Sequence, residues 1–231
     1  MGWAESPSSL ELAVDPRHSE LAGAVIDWFL DSNPVSPECM VMRCDRITRD
    51  ALERRGFVAD VTGPWFSHHV LELEGLPPLR NVPGYAFRHI EPGEHEARAA
   101  CHRASWSDFG PSKVSGAAYE RLAGTWPYRD DLDWVALSDD DEMVASCLVW
   151  FDELNGVGLI EPVGCVPAHR RRGLAAGVSL VALHALRGLG AAMALVNPRG
   201  DEAYPAPGLL YRLIGFHPVD RTITYARPGE G

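Results

Sequence analysis

A chain of 231 residues has room for one large domain or two small ones. With 46% hydrophobic and 23% charged residues it has an ordinary globular composition, and its net charge of −11 argues against a nucleic-acid partner. No apolar run is long enough to span a bilayer and the start, Met1-Gly2-Trp3-Ala4-Glu5, lacks a basic-then-apolar leader, so a cytoplasmic protein without a membrane partner is expected.

Residues 1–9 are polar and are expected to carry no regular element. Leu10-Glu11-Leu12-Ala13-Val14 alternates as a short strand, and Asp15-Pro16 marks a turn with proline suited to a helix start. Leu21, Ala24, Val25, Trp28 and Phe29 recur at helical spacing, and Pro34 and Pro37 stop that helix. Met40-Val41-Met42 reads as a strand and Arg49–Arg55 as a short helix ended by Gly56. Phe57–Val61 and His68–Leu73 are expected to pair as a hairpin. Leu76-Pro77-Pro78-Leu79 and Val82-Pro83-Gly84 form a stiff linker, which places a boundary near residue 80. Two units follow from it: 1–80, the smaller, and 81–231.

In the second unit Tyr85–Ile90 alternates as a strand. Gly93–Ser105 predicts a helix with Ala97, Ala100, Cys101 and Ala104 on one face, and Ser115 caps another to Gly124. Trp134–Leu137 and Met143–Phe151 are strands joined by the solvated turn Asp139-Asp140-Asp141-Glu142. Asn155-Gly156 signals a hairpin into the strand Gly158–Val166. Leu174–Leu189 is a long helix, Ala191–Val196 a strand, Pro207–Ile214 a short helix ended by Gly215, and Arg221–Tyr225 a final strand. The order predicts an α/β (α+β) fold with a mixed central sheet and flanking helices.

The chemistry concentrates in residues 159–176. A strand carrying Glu161 runs into the turn Arg170-Arg171-Arg172-Gly173-Leu174-Ala175, which opens the long helix. The first N–H groups of a helix have no intrahelical partner and its dipole is positive there, so such a turn binds an anion. Residues 168–231 hold eight arginines and four acids, a net of +4 in an acidic chain, so a small polyanion suits the turn better than a long one. Pro162 cannot donate a ladder hydrogen bond, so the sheet is expected to open near it. By strand alternation Glu161 shares a face with Val163 and Cys165. His68, His69 and His102 have no partners at ligand spacing, so no metal is expected. Five cysteines, at 39, 44, 101, 147 and 165, are an odd number at irregular spacing and read as reduced.

Two motifs in this order of elements make the second unit, about residues 83–228, resemble the GCN5-related N-acetyltransferases. One is (Gln/Arg)-x-x-Gly-x-(Gly/Ala), met as Arg170-Arg171-Arg172-Gly173-Leu174-Ala175 between strand and helix. The other is Leu210-Tyr211 ahead of Gly215-Phe216. The resemblance implies an acyl-CoA-dependent N-acyltransferase that moves an acetyl group from acetyl-CoA directly to a small-molecule primary amine. It implies that Arg170, Arg171, Arg172, Gly173, Leu174 and Ala175 hold the pyrophosphate of coenzyme A. Val163, Gly164, Cys165 and Val166 would flank the pantetheine arm, and Asn197 would contact the cofactor, although it lies farther from Tyr211 than is usual. Glu161 would be the general base and Tyr211 the partner of the leaving thiol. The alternative is an inactive acyl-CoA-binding module.

The two units echo each other. Leu52-Glu53-Arg54-Arg55-Gly56-Phe57 parallels Tyr211-Arg212-Leu213-Ile214-Gly215-Phe216, and Val14-Asp15-Pro16-Arg17-His18 parallels Val166-Pro167-Ala168-His169-Arg170. This is similar to the tandem pattern of mycothiol synthase-type proteins, with a truncated first copy that lacks the arginine turn. One cofactor site is expected, in a monomer or homodimer.

Overall fold

The computed structural model describes residues 2–5, 8–79, 81–200 and 204–228. Arg80, at the expected boundary, lies outside the described residues. In chain order the elements are β1 (Gly2–Glu5), β2 (Ser9–Leu12), α1 (Glu20–Asp31), β3 (Glu38–Met42), α2 (Arg46–Glu53), β4 (Val58–Asp60), β5 (Ser67–Glu72), β6 (Tyr85–His89), α3 (His95–Ser105), α4 (Gly116–Ala123), β7 (Asp133–Ser138), β8 (Met143–Asp152), β9 (Val157–Cys165), α5 (Leu174–Gly188), β10 (Met193–Val196), α6 (Ala206–Ile214) and β11 (His217–Ala226). Within residues 1–9 a strand forms where none is expected: Gly2–Glu5 pairs antiparallel with β2.

The chain forms two compact units, but not by division at residue 80. The smaller comprises Met1–His68, Asn197–Gly208 and Pro218–Gly231; the larger comprises His69–Val196 and Leu209–His217. The expected hairpin between β4 and β5 does not form. The Asp60 carboxylate accepts from the N–H groups of Thr62 (2.8 Å) and Gly63 (3.1 Å), a local turn that redirects the chain. β4 pairs antiparallel with β11 instead, and β5 with β10, in the register Val196↔His69 to Met193↔Glu72.

The larger unit is a mixed sheet in the order β5-β10-β9-β8-β7-β6, antiparallel except between β9 and β10. One face is covered by α5, whose Leu174, Val178, Leu183 and Leu186 pack with Val149, Ile160 and Ala194. Burying each such side chain contributes about 1.5–3 kcal/mol. Gly177 lets α5 close onto β6: a Cβ there would stand 2.6 Å from the Phe87 ring. The opposite face holds a second cluster, Ile90, Ala99, Tyr119, Val135 and Leu137, contributed by α3, α4 and β7.

The smaller unit carries the sheet β1-β2-β3-β11, with β4 on β11. Its core is Leu10, Ile26, Phe29, Val41, Leu52, Phe57 and Tyr225. The stretches that echo each other in sequence take similar forms. Pro16–His18 and Pro167–His169 are each a single 3-10 turn leading to a helix. Gly56 and Gly215 both have positive φ, +79° and +117°. The phenylalanine after each donates its N–H back into the preceding helix, Phe57 to Leu52 (3.2 Å) and Phe216 to Tyr211 (2.9 Å).

Candidate active site

The site is built on β9 and the start of α5, both in the larger unit. On one side β9 pairs with β8, with Cys147 opposite Val163 and Val149 opposite Ile160. Two steps on β8 therefore span three on β9, so Glu161 and Pro162 form a β-bulge. The bulge overturns the expected shared face. Ile160 and Val163, three apart, both pack into the core, while Glu161 is exposed. On the other side the parallel pairing with β10 ends at Leu159↔Leu195, yet β9 continues to Cys165. The sheet thus opens two residues before Pro162, along the edge formed by Val163, Gly164, Cys165 and Val166.

Gly164 is required by packing from the other direction. A Cβ at this position would stand 2.8 Å from Ser105 Cβ and 3.4 Å from Trp106 Nε1, where the end of α3 crosses the strand. Trp106 in turn meets His102 and Phe109, with ring centroids 5.9 and 5.7 Å away. The Cys165 thiol is half-buried, and burial pushes its pKa up to about 11.

The turn after β9 presents backbone donors. Arg171 (φ +61°) and Gly173 (φ +84°) both take left-handed conformations, and Gly173 is the N-cap of α5 with no side chain to cap the first turn. Leu174 anchors the helix start in the core and Ala175 stands half-buried beside it. The three arginines divide. Arg171 and Arg172 are exposed. Arg172 donates to the Tyr85 hydroxyl (2.8 Å), which is within 2.9 Å of His169 Nδ1.

The Arg170 side chain is engaged within the fold. It donates to the carbonyls of Cys165 (3.0 Å) and Ser105 (2.9 Å) and pairs with Asp108. It therefore ties the end of β9 to the end of α3 and offers no free charge to the turn.

Tyr211 lies on α6, buried, with its ring edge-on to Phe216 at 5.6 Å. Burial, with smaller contributions from the Cys147 thiol and the Glu161 carboxylate, pushes its phenol above the ordinary range. Asn197 follows β10 directly, and its buried side-chain oxygen has no hydrogen-bond partner among the described residues.

Sequence reasoning missed a buried polar cluster under α3. Of the face expected inward, only Cys101 is buried among Ala97, Ala100, Cys101 and Ala104; Arg98 turns in instead. Its guanidinium donates to the fully buried Asp133 carboxylate at 2.8 Å. Tyr119 and Tyr128 donate to the other oxygen of Asp133, Tyr128 at 3.1 Å. Arginine mid-helix is ordinarily a solvent-facing residue, so no local signal marked it. Trp126, after α4, is 91% exposed. Among the described residues no group of histidine, cysteine or acid side chains is placed to hold a metal, and no helix is long and apolar enough to cross a membrane.

No protein-family model matches this sequence, and no curated protein does. Solved structures do. The chain is similar to a GCN5-related N-acetyltransferase from Sphaerobacter thermophilus (18% identical, TM-score 0.74), covering 99% of this chain and 76% of that one. It is similar to a GCN5-related N-acetyltransferase from Kribbella flavida (18%, TM-score 0.62; 96% and 81% covered). It is also similar to a tandem GNAT protein from the clavulanic acid biosynthesis pathway (15%, TM-score 0.68; 98% and 78% covered). At these identities the likeness is one of fold: a mixed sheet with flanking helices, as in the GCN5-related N-acetyltransferases.

Proposed function

We propose that this protein is an acyl-CoA-dependent N-acyltransferase that moves an acetyl group from acetyl-CoA to a small-molecule primary amine. The observation that carries this reading is the parting of β9 from β10 after Leu159↔Leu195, directly ahead of an uncapped helix start flanked by Arg171 and Arg172. An opened strand edge ending at an anion turn suits a long ligand with a phosphorylated end, which is the form of coenzyme A. The pyrophosphate would take the N–H groups of Gly173, Leu174 and Ala175 and the charges of Arg171 and Arg172. Arg170 would act by holding the end of β9. The pantetheine arm would lie along Val163, Gly164, Cys165 and Val166.

The thioester supplies an activated acyl group. An amine must lose a proton as it attacks, and Glu161, exposed at the bulge, would take it directly or through water. The Val163 N–H, at the end of the bulge, would polarise the acyl carbonyl. The new C–N bond replaces the C–S bond, and the sulfur leaves as a thiolate. Tyr211, whose phenol stays protonated through neutral pH, would donate a hydrogen bond to it. The smaller unit, with its 3-10 turn and Gly-Phe ending but no arginine turn, is read as a degenerate copy of the tandem, mycothiol synthase-like kind. On this reading the protein is cytoplasmic, with all five cysteines reduced.

The test is to mix the protein with acetyl-CoA and a broad panel of amines and follow free thiol. Glu161→Gln and Tyr211→Phe are each expected to lower kcat by about 10²-fold. Full turnover by both variants would overturn the assigned roles. Tight binding of CoA with no transfer to any amine would identify a binding module instead.

A further inference from the structure

The bulge that presents Glu161 is held by a side chain from the neighbouring strand. The ladder is interrupted at Glu161 and Pro162, so the carbonyl of Glu161 takes its donor from elsewhere. That donor is the Trp150 indole Nε1, at 2.7 Å. Trp150 belongs to β8 and is paired in register with Leu159, two residues before Glu161. The direction of this carbonyl sets ψ of Glu161 and so the path of the bulge from which its side chain projects.

Trp150 is itself fixed. Its ring meets Tyr128 edge-on, with centroids 6.3 Å apart. The Tyr128 hydroxyl donates to Asp133 (3.1 Å), and Arg98 holds the same carboxylate (2.8 Å) in a pair with no exposure to solvent. Burial pushes the Tyr128 phenol well above its usual range, so it remains a donor at any working pH. A line of contacts thus runs from a fully buried ion pair, through two aromatic rings, to the backbone of the candidate base.

We propose that Trp150 is a positioning residue for Glu161, with Tyr128 and Asp133 fixing the indole: the Nε1–H bond to the Glu161 carbonyl holds the bulge in the conformation from which the carboxylate meets the acceptor amine. The inference rests on the acyltransferase reading of the site. It gives the Arg98–Asp133 pair a consequence beyond stability, since loosening it would be felt at Glu161.

The experiment compares Trp150→Phe, Tyr128→Phe, Glu161→Gln and the double variant Trp150→Phe/Glu161→Gln on the best amine, with pH profiles. Trp150→Phe keeps an aromatic side chain on β8 and removes the N–H together with the five-membered ring that carries it. It is expected to lower kcat by about 3- to 10-fold, the effect of one lost hydrogen bond, and to leave KM for acetyl-CoA within about twofold. It is expected to shift the acid limb of kcat/KM, the limb that Glu161→Gln abolishes. Tyr128→Phe should act in the same sense, and the double variant should be no slower than Glu161→Gln alone. Wild-type kcat and an unmoved limb in both Trp150→Phe and Tyr128→Phe would overturn the inference while leaving the function intact. So would a Trp150→Phe loss that multiplies in full with that of Glu161→Gln. If Trp150→Phe melts below the assay temperature, Tyr128→Phe alone decides. A wild-type protein that transfers no acetyl group to any amine removes the function and this inference together.

Discussion

The Arg172 guanidinium donates to the hydroxyl oxygen of Tyr85 at 2.8 Å, across 87 positions of sequence, and so ties the anion turn to β6. The bond keeps an exposed, long side chain beside the start of α5, and His169 orients the tyrosine from the other side. Arg172→Ala is expected to weaken CoA binding by about fivefold, the scale of one exposed charge at a helix start. Tyr85→Phe should weaken it less, because the charge remains while its orientation is lost. Calorimetric titration with CoA at low and high ionic strength checks both. The Arg172→Ala deficit should shrink at high salt, as exposed charges are screened.

Arg170 should behave differently from its two neighbours. Its three partners, the carbonyls of Cys165 and Ser105 and the Asp108 carboxylate, belong to the fold. Lysine keeps the charge but cannot span three acceptors. Arg170→Lys is expected to cost about 1–2 kcal/mol of stability, discounted for the exposure of Asp108. Thermal melts should show the loss, while the salt dependence of CoA binding stays as in the wild type.

Asp133 accepts from Arg98, Tyr119 and Tyr128 in the interior of the larger unit. Asp133→Asn leaves the Arg98 guanidinium buried without its counter-charge. The expected cost is about 3–5 kcal/mol, since breaking one side of a buried pair strands the other. Denaturant unfolding measures it. A double substitution of Arg98 and Asp133 by apolar residues of similar volume should recover much of the loss.

Thiol chemistry offers a check on the cofactor edge. Burial raises Cys165 to about 11 and Cys147 to about 12, while Cys44 is exposed and raised through its bond to Asp220. A raised pKa means less thiolate at a given pH, so at pH 8 about one Cys165 in a thousand is reactive. Alkylation at pH 8 should therefore mark Cys44 first. The Cys165 rate should rise about tenfold per pH unit up to its pKa. CoA should protect Cys165 and leave Cys44 unaffected, as read by peptide mass spectrometry.

Residues 159–176 were readable from the sequence because their information is local. A strand, a proline that cannot pair, an arginine-rich turn, a glycine and an apolar helix follow one another along eighteen positions, and each imposes its own backbone conformation. The order of strands and helices in the larger unit was readable for the same reason. What failed was whatever depends on residues distant in sequence. β5 and β4 were adjacent in the chain and alike in pattern, yet each found its hydrogen-bond partner more than a hundred residues away, in β10 and β11. The three arginines were neighbours in one turn, and only the tertiary structure engaged Arg170 with the Ser105 carbonyl and left the other two exposed. The face of Glu161 was decided by a one-residue register shift against β8, which reverses strand alternation; Pro162 marks where pairing fails but not the register of the neighbouring strand. Local conformation follows from residue type; which donor meets which acceptor follows only from the packed sheet, because pairing is a property of two strands and not of one.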